Sequence, residues 1–312
     1  MRVVVAGGAG FLGSHLADAL AARGDDVVIL DDLSSGNASN VAHLVAAGHE
    51  FHVCNVAEEL PELGAVDAVC NLASPASPPF YLAHPLETLA VWGEGTRRLL
   101  ELANRNGARF LLASTSEVYG DPKEHPQRET YWGNVNPVGP RSVYDEAKRF
   151  AEALTVAHAA TKGTNACIVR IFNTYGPRLD PGDGRVVSNF VRQALEGSPL
   201  TVYGDGRQTR SFCYVDDEVR GLIALLDATE RGPINIGNPE EFTMLELVDA
   251  VLEVTGSTST VVFEPLPTDD PTRRCPDITL AKTLLGWEPT ISLREGLARL
   301  VEYLRGVQGV GE

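Results

Sequence analysis

The chain has 312 residues and carries 42 Asp and Glu against 26 Lys and Arg, a formal net charge of −16. That length buries a large core, enough for two lobes, and that charge argues against a nucleic-acid partner. No apolar run is long enough to span a membrane. The five cysteines (Cys54, Cys70, Cys167, Cys213, Cys275) are odd in number and include no C-x-x-C pair, which fits reduced thiols in a cytoplasm.

Val3-Val4-Val5-Ala6 reads as a buried strand, and the apolar run after Met1-Arg2 meets glycine too soon for a secretion signal. Gly7-Gly8-Ala9-Gly10-Phe11-Leu12-Gly13 follows at once, and an amphipathic helix continues through Leu16, Ala19 and Leu20. Glycines let backbone approach a pyrophosphate, whose charge then sits at the helix N-terminus. A second strand, Val27-Val28-Ile29-Leu30, ends in Asp31-Asp32. Asp31 lies at the spacing of the acid that binds the adenosine ribose hydroxyls. No Lys or Arg occurs between Arg23 and Arg97, so a 2′-phosphate would find negative charge and no nearby cation; NAD is expected rather than NADP. His49-x-x-His52 has no Cys or carboxylate pattern to complete a ligand set, so no metal is expected.

Strands are predicted at 2–6, 26–31, 67–72, 109–114 and 166–171, with helices between them. This alternation predicts a doubly wound parallel α/β sheet. After Pro177 the pattern breaks into Gly- and Pro-rich turns with short elements, as a smaller C-terminal lobe would. Phe110-Leu111-Leu112-Ala113 leads into Ser114-Thr115-Ser116-Glu117, at the strand ends where ligands collect in open sheets. Thr115 can donate and accept at a sugar hydroxyl, although Thr-Ser-Glu is also a helix N-cap sequence. Tyr144 and Lys148, in Ser-Val-Tyr-Asp-Glu-Ala-Lys, share one helical face. An ammonium and a nicotinamide cation beside a phenol favour the phenolate, a base able to take a hydroxyl proton while hydride leaves the carbon.

With these residues in place, the chain resembles the extended short-chain dehydrogenase/reductase family. The likeness extends over nearly the full length to the UDP-glucuronic acid decarboxylases, which form UDP-xylose. It rests on Leu72-Ala-Ser-Pro-Ala-Ser-Pro-Pro79, Leu112-Ala-Ser-Thr-Ser-Glu-Val-Tyr-Gly120, Tyr144-Asp-Glu-Ala-Lys148 and Arg170-Ile-Phe-Asn-Thr-Tyr-Gly-Pro-Arg178. Asp183-Gly-Arg-Val-Val-Ser-Asn-Phe190, Leu200-Thr-Val-Tyr-Gly204, Gln208-Thr-Arg210 and Asp269-Asp-Pro271 extend it.

The resemblance implies a Rossmann domain over 1–173 with a returning segment about 212–236, and a UDP-sugar lobe from 174–211 and 237–312. It implies catalytic roles for Thr115, Glu117, Tyr144, Lys148 and Arg274. It places NAD against Gly7, Gly10, Phe11, Leu12, Gly13, Asp31, Asp32, Ser35, Gly36, Leu72, Ala73 and Ser74, with Tyr144 and Lys148. It places the UDP-sugar against Pro75, Ser77, Asn173, Arg185, Val186, Tyr203, Arg210, Asp270 and Arg274. The implied reaction oxidises C4 of UDP-glucuronate, loses carbon dioxide, and reduces C4 again. A homodimer through helices near 84–105 and 142–162 is implied too.

Ser116 stands where 4,6-dehydratases of this group carry an acid, and Glu117 where simple 4-epimerases carry a small neutral residue. A UDP-glucuronate 4-epimerase, a related epimerase or dehydratase, and a non-catalytic NAD-binding regulator are the alternatives. The chain departs from its relatives at Trp92 (usually Asn), Asn71 (His), Asn55 (Asp), Cys275 (Lys) and the residue after Gly36, Asn37 (often Arg).

Overall fold

The computed structural model describes residues 1–180, 182–266 and 273–309, with backbone alone for the last three. The expected strands form at Arg2–Ala6 (β1), Asp26–Asp31 (β2), Ala68–Asn71, Arg109–Thr115 and Ala166–Ile171. Two more join their sheet: Glu50–Val53, and Ile234–Ile236 late in the chain. Glu50-Phe-His-Val53 is a half-exposed edge strand with too few apolar residues to announce itself. Ile234-Asn-Ile236 is only three residues long, and its buried Asn235 donates to the Gln127 and Asp277 carbonyls.

The seven strands are all parallel, in the order Ile234–Ile236, Ala166–Ile171, Arg109–Thr115, Ala68–Asn71, β1, β2, Glu50–Val53. Both faces are covered, as a parallel sheet requires. Val3, Val5, Ile29 and Cys70 point to one core, and Val4, Ala6, Leu30 and Val69 to the other. The strand order reverses between β1 and Ala68–Asn71, which opens a crevice at the carboxyl ends of the strands. The glycine loop, the Leu72–Pro79 segment and Thr115 all leave the sheet at that edge.

Tyr144, Ala147, Lys148, Ala151, Thr155 and His158 form a buried stripe along the helix Ser142–Lys162. Their spacing of three and four keeps them on one face. Gly163, at φ 73°, ends this helix in the left-handed conformation.

The later elements build a smaller layer. Thr209–Ser211 pairs with Glu241–Thr243 on one side and with Arg273–Arg274 on the other. Leu200–Tyr203 pairs with Val261–Glu264, and the helices Val186–Leu195 and Met244–Thr255 pack beside them. Among the described residues this layer shares the core of the sheet: Phe190, Leu247 and Leu297 belong to the same apolar cluster as Val3, Val5 and Leu111. Fully buried Asp217, on the helix Val215–Asp227, accepts from the Thr290 and Ile291 amides at 2.9 and 2.8 Å. That latch ties the C-terminal helices to the sheet.

Phe110 sits at the centre of the second core with no exposed surface. Phe110→Ala is expected to cost about 3–5 kcal/mol, read as a lower denaturant midpoint at unchanged transition slope.

Candidate active site

A cleft of about 1220 Å³ runs along the carboxyl edge of the sheet. One half is walled by Gly7, Gly10, Phe11, Leu12, Gly13, Asp31, Asp32, Ser35 and Gly36, joined by Leu72, Ala73 and Ser74. The glycines are sterically required at two points. Gly7 has φ +77°, and a Cβ there would lie 2.6 Å from the Leu72 carbonyl carbon; a Cβ on Gly13 would meet the Gly7 oxygen at 2.0 Å. Asp31 accepts the Ala9 and Leu33 amides, each at 2.9 Å, so its carboxylate is fixed at the cleft wall. Burial pushes its pKa up, and the backbone donors pull the other way.

The other half is walled by Pro75, Ser77, Thr115, Glu117, Arg141, Tyr144, Asn173 and Arg185. Ser77 donates to the Asp183 carbonyl at 2.8 Å, and Arg185 is braced by the Asp183 carboxylate at 2.8–2.9 Å. Asn173 donates to the Ser211 carbonyl at 3.3 Å.

Thr115 caps a turn, as its N-cap sequence allows. Its hydroxyl accepts the Glu117 amide at 3.2 Å, capping the short turn Ser116–Tyr119, and lies near enough to the Tyr144 phenol to lower its pKa. Burial raises the pKa of that phenol, the Glu117 charge raises it further, and the Thr115 hydroxyl opposes both. Lys148 shares the Tyr144 face but lies behind it, its Nζ 5.4 Å from the phenol ring centroid. The ammonium donates to the Ala113 carbonyl at 2.7 Å and stands 3.5 Å over the Trp92 ring. Burial draws its pKa well down. Trp92, the departure from Asn, is fully buried in a π-helical turn, Val91–Gly95, and its indole N–H donates to Ser74 at 3.0 Å. It therefore joins the lysine to the cofactor half of the cleft.

Glu117 is the electrostatic centre. Arg274 grips it with two bonds, 2.5 and 2.7 Å, and Arg141 adds a third at 2.9 Å. Burial alone would push this carboxyl up, but Arg274 and then Arg141 overcome it and hold the pKa at about 2. Three residues here escaped the sequence reading. Arg141, one turn before Tyr144, was legible from spacing alone. Tyr81 stacks on Tyr144, centroids 5.0 Å apart and planes 13° from parallel, and only folding brings it there. Asp145 is buried beside the cluster; burial, then the Glu117 charge, push its carboxyl up to about 7.

Five assigned residues among those described do not line the cleft: Lys148, Arg274, Arg210, Val186 and Tyr203. Arg210 is buried in register with Arg274 on the neighbouring strand. Val186 starts its helix and packs against the core. Tyr203 is exposed at the end of Leu200–Tyr203. Asp270 lies outside the described residues. His49 and His52 are engaged with the Val27 amide and with Glu50.

Residues 3–237 match the NAD dependent epimerase/dehydratase family. The chain belongs to that family. UDP-glucuronic acid decarboxylase 1 of Arabidopsis thaliana is 54% identical to it over 305 residues, spanning 98% of this chain and 70% of that protein. The crystal structure of UDP-glucose 4-epimerase from Thermotoga maritima with UDP-glucose superposes with TM-score 0.90 at 32% identity, covering 99% of this chain and all of that one. UDP-glucuronic acid 4-epimerase from Bacillus cereus, in complex with UDP-glucuronic acid and NAD, gives 0.88 at 29%, covering 98% and 100%.

As in this epimerase/dehydratase family, the cofactor is NAD, and the residues present fit it. The glycine loop leaves space that any Cβ would fill, and Asp31 offers a fixed acceptor. Arg178 provides a feature the sequence reading did not assign. It lines the cleft at φ 64°, an uncommon conformation for a non-glycine residue, and its buried Nη1 has no partner. That unsatisfied donor suits a phosphate oxygen.

Because the Asp145 pKa is raised on folding, the folded state holds the proton more tightly. Stability therefore falls as pH climbs from about 4, the unfolded value, towards 7, and the penalty is complete above that. Asp145→Asn is expected to melt higher than wild type at pH 8, with the gain vanishing near pH 4 in parallel thermal scans.

Proposed function

We propose that this chain decarboxylates UDP-glucuronate to UDP-xylose through a UDP-4-keto sugar, with NAD regenerated in each cycle. The observation that carries the reading is the Glu117 carboxylate clamped by Arg274 and Arg141 in the wall that holds Tyr144 and Thr115. The kinship with a UDP-glucuronic acid decarboxylase supports it.

NAD, when bound, supplies the hydride acceptor for C4 and later the donor. Tyr144 takes the C4 hydroxyl proton, with Thr115 sharing the hydrogen bonding at that oxygen. Lys148 holds the phenol side of the site through its bond to Ala113 and its seat on Trp92. The C4 ketone is β to the C6 carboxylate, so the electrons left by departing carbon dioxide delocalise into that ketone. The enolate then takes a proton from solvent at C5, and Tyr144 gives its proton back to the C4 oxygen. Two guanidiniums against one Glu117 carboxylate leave a local excess of positive charge, which holds the C6 acid inside a negatively charged protein. Arg274, its two terminal nitrogens held by Glu117, adds its charge behind the wall where that acid is proposed to sit. Ser116 is too weak an acid to expel a C6 hydroxyl, which disfavours dehydration.

Pro75, Ser77, Asn173 and Arg185 are assigned to the UDP-sugar along the open half of the cleft. Arg210 is assigned to the diphosphate, and Val186, Tyr203 and Asp270 to the rim of the nucleotide pocket. The division into a sheet domain with its 212–236 return and a UDP-sugar lobe belongs to the same reading.

A homodimer is proposed from an apolar surface. Leu82, Leu86 and Leu89 are exposed beside Phe150 and Val156 of the helix Ser142–Lys162, with Leu86 75% and Phe150 55% accessible. Unpartnered leucine and phenylalanine on adjoining helices suit a four-helix contact with a second copy. A cytoplasmic setting is proposed from five cysteines that form no disulfide. No helix among the described residues is long and apolar enough to cross a membrane.

Incubation with NAD and UDP-glucuronate, followed by NMR of the sugar nucleotide, is expected to show UDP-xylose. UDP-galacturonate would instead mark an epimerase, and binding of both ligands without product a regulator. Tyr144→Phe is expected to lower turnover by about 10²–10⁴-fold while substrate affinity holds; Arg274→Ala is expected to hurt carbon dioxide release more than UDP affinity. A pure affinity loss would move Arg274 to the phosphates. Leu86→Glu combined with Phe150→Glu is expected to halve the mass measured by light scattering on a sizing column.

A further inference from the structure

Away from the cleft wall, three side chains from distant parts of the chain converge. His125 comes from the loop after Tyr119, Glu241 opens the strand Glu241–Thr243, and Cys275 follows the strand Arg273–Arg274. One ligand atom from each lies within 4.8 Å of the others. His125 Nε2 and the Glu241 carboxylate are already 2.8 Å apart. We propose that His125, Glu241 and Cys275 form a binding site for a divalent transition metal, of the Zn²⁺ class.

The donor chemistry selects that class. One thiolate, one imidazole and one carboxylate match the ligands of zinc, with bonds of about 2.3, 2.0–2.1 and 2.0–2.2 Å. Around a tetrahedral ion those bonds set ligand atoms about 3.2–3.7 Å apart. Side-chain rotation suffices: the His125–Glu241 contact opens by a few tenths of an ångström and the sulfur closes in. Three protein ligands leave a fourth position for water, and the site has an approach for it. Cys275 is buried, whereas His125 and Glu241 are partly exposed.

The groups behind the ligands are already set as a metal site requires. Thr209 donates to the free oxygen of Glu241 at 2.7 Å, turning the other towards His125. Gln127 holds Cys275 on both sides, its side-chain oxygen accepting the Cys275 amide at 2.8 Å and its own amide donating to the Cys275 carbonyl at 2.9 Å. The thiol itself donates to the Pro239 carbonyl at 3.3 Å. Metal binding breaks that hydrogen bond, releases the thiol proton to solvent and forms the metal–sulfur bond. With one thiolate and one carboxylate, a divalent ion makes a neutral complex.

The consequence falls on Arg274. Successive residues of an extended segment point in opposite directions; Arg274 reaches Glu117 while Cys275 faces His125 and Glu241. A bound ion ties the His125 loop, the Glu241 strand and the residue after Arg274 together. The metal is thus a brace for the guanidinium rather than a participant in bond breaking.

The test uses the full chain stripped of metal with EDTA and titrated with Co²⁺ as a spectroscopic substitute. One equivalent is expected to bind, with a thiolate-to-cobalt charge-transfer band in the near ultraviolet. Cys275→Ser is expected to abolish the band. His125→Ala and Glu241→Gln are expected to weaken binding by at least the roughly tenfold that even a supporting residue costs a metal site. Cys54→Ser, at a partly exposed thiol away from the site, is expected to leave the band unchanged. Zn²⁺ is expected to raise the melting temperature of wild type and not of Cys275→Ser. Should Cys275→Ser fail to fold, the partly exposed His125→Ala decides the matter on its own. Absence of the band in wild type, its survival in Cys275→Ser, its loss in Cys54→Ser, or undiminished affinity in His125→Ala would each overturn the proposal.

Discussion

The bidentate grip of Arg274 on Glu117 is the interaction on which the site depends. Glu117 follows the interior strand Arg109–Thr115, and Arg274 belongs to a strand of the smaller layer, 157 residues away. One ion pair therefore fixes the second layer against the carboxyl edge of the sheet. Removing one partner from such a buried pair costs about 3–5 kcal/mol, because the other is left charged and unpaired. Arg141 closes the cluster from the start of the helix that carries Tyr144. Acid, guanidinium and phenol are thus held in one frame.

Charge balance in that frame explains how an acidic protein accommodates an acidic ligand. A net charge of −16 opposes anions at long range, but salt screens such a field within about 8–10 Å. Close contacts decide, and at Glu117 two guanidiniums face one carboxylate. Asp145, with its pKa raised to about 7, does not cancel the excess at neutral pH as a fully ionised acid would. The cofactor half works differently. There the wall is rich in backbone and glycine, Asp31 supplies a fixed acceptor beside the loop, and Arg178, paired with Asp18, brings an unsatisfied donor.

Trp92 shows how one departure from the family pattern is absorbed. A large aromatic side chain in place of a small amide has to be buried whole or not at all. The π-helical turn gives it room, the indole N–H finds Ser74, and its ring face receives the Lys148 ammonium. A cation over an aromatic face is worth about 0.5–2 kcal/mol, more when desolvated. The lysine thus keeps a defined seat despite the loss of the amide. Asn71 is less well compensated: its side-chain nitrogen donates to Thr96, and its oxygen is buried without a partner.

Local sequence determined the parallel sheet, the glycine loop, Asp31 and the Tyr144–Lys148 face, because each depends on short-range periodicity or on the steric freedom of a few adjacent residues. The family resemblance, not local periodicity, put Glu117 and Arg274 forward for one proposed reaction. Only the tertiary structure decided that these two bind each other, that Tyr81 stacks on Tyr144, and that Trp92 carries Lys148. It also moved Tyr203 and Val186 off the cleft wall and drew in the short strands Glu50–Val53 and Ile234–Ile236. The physical reason is common to all of these. Their geometry is set by contacts between segments tens to hundreds of residues apart, and no periodicity within one segment records which partner the fold will bring.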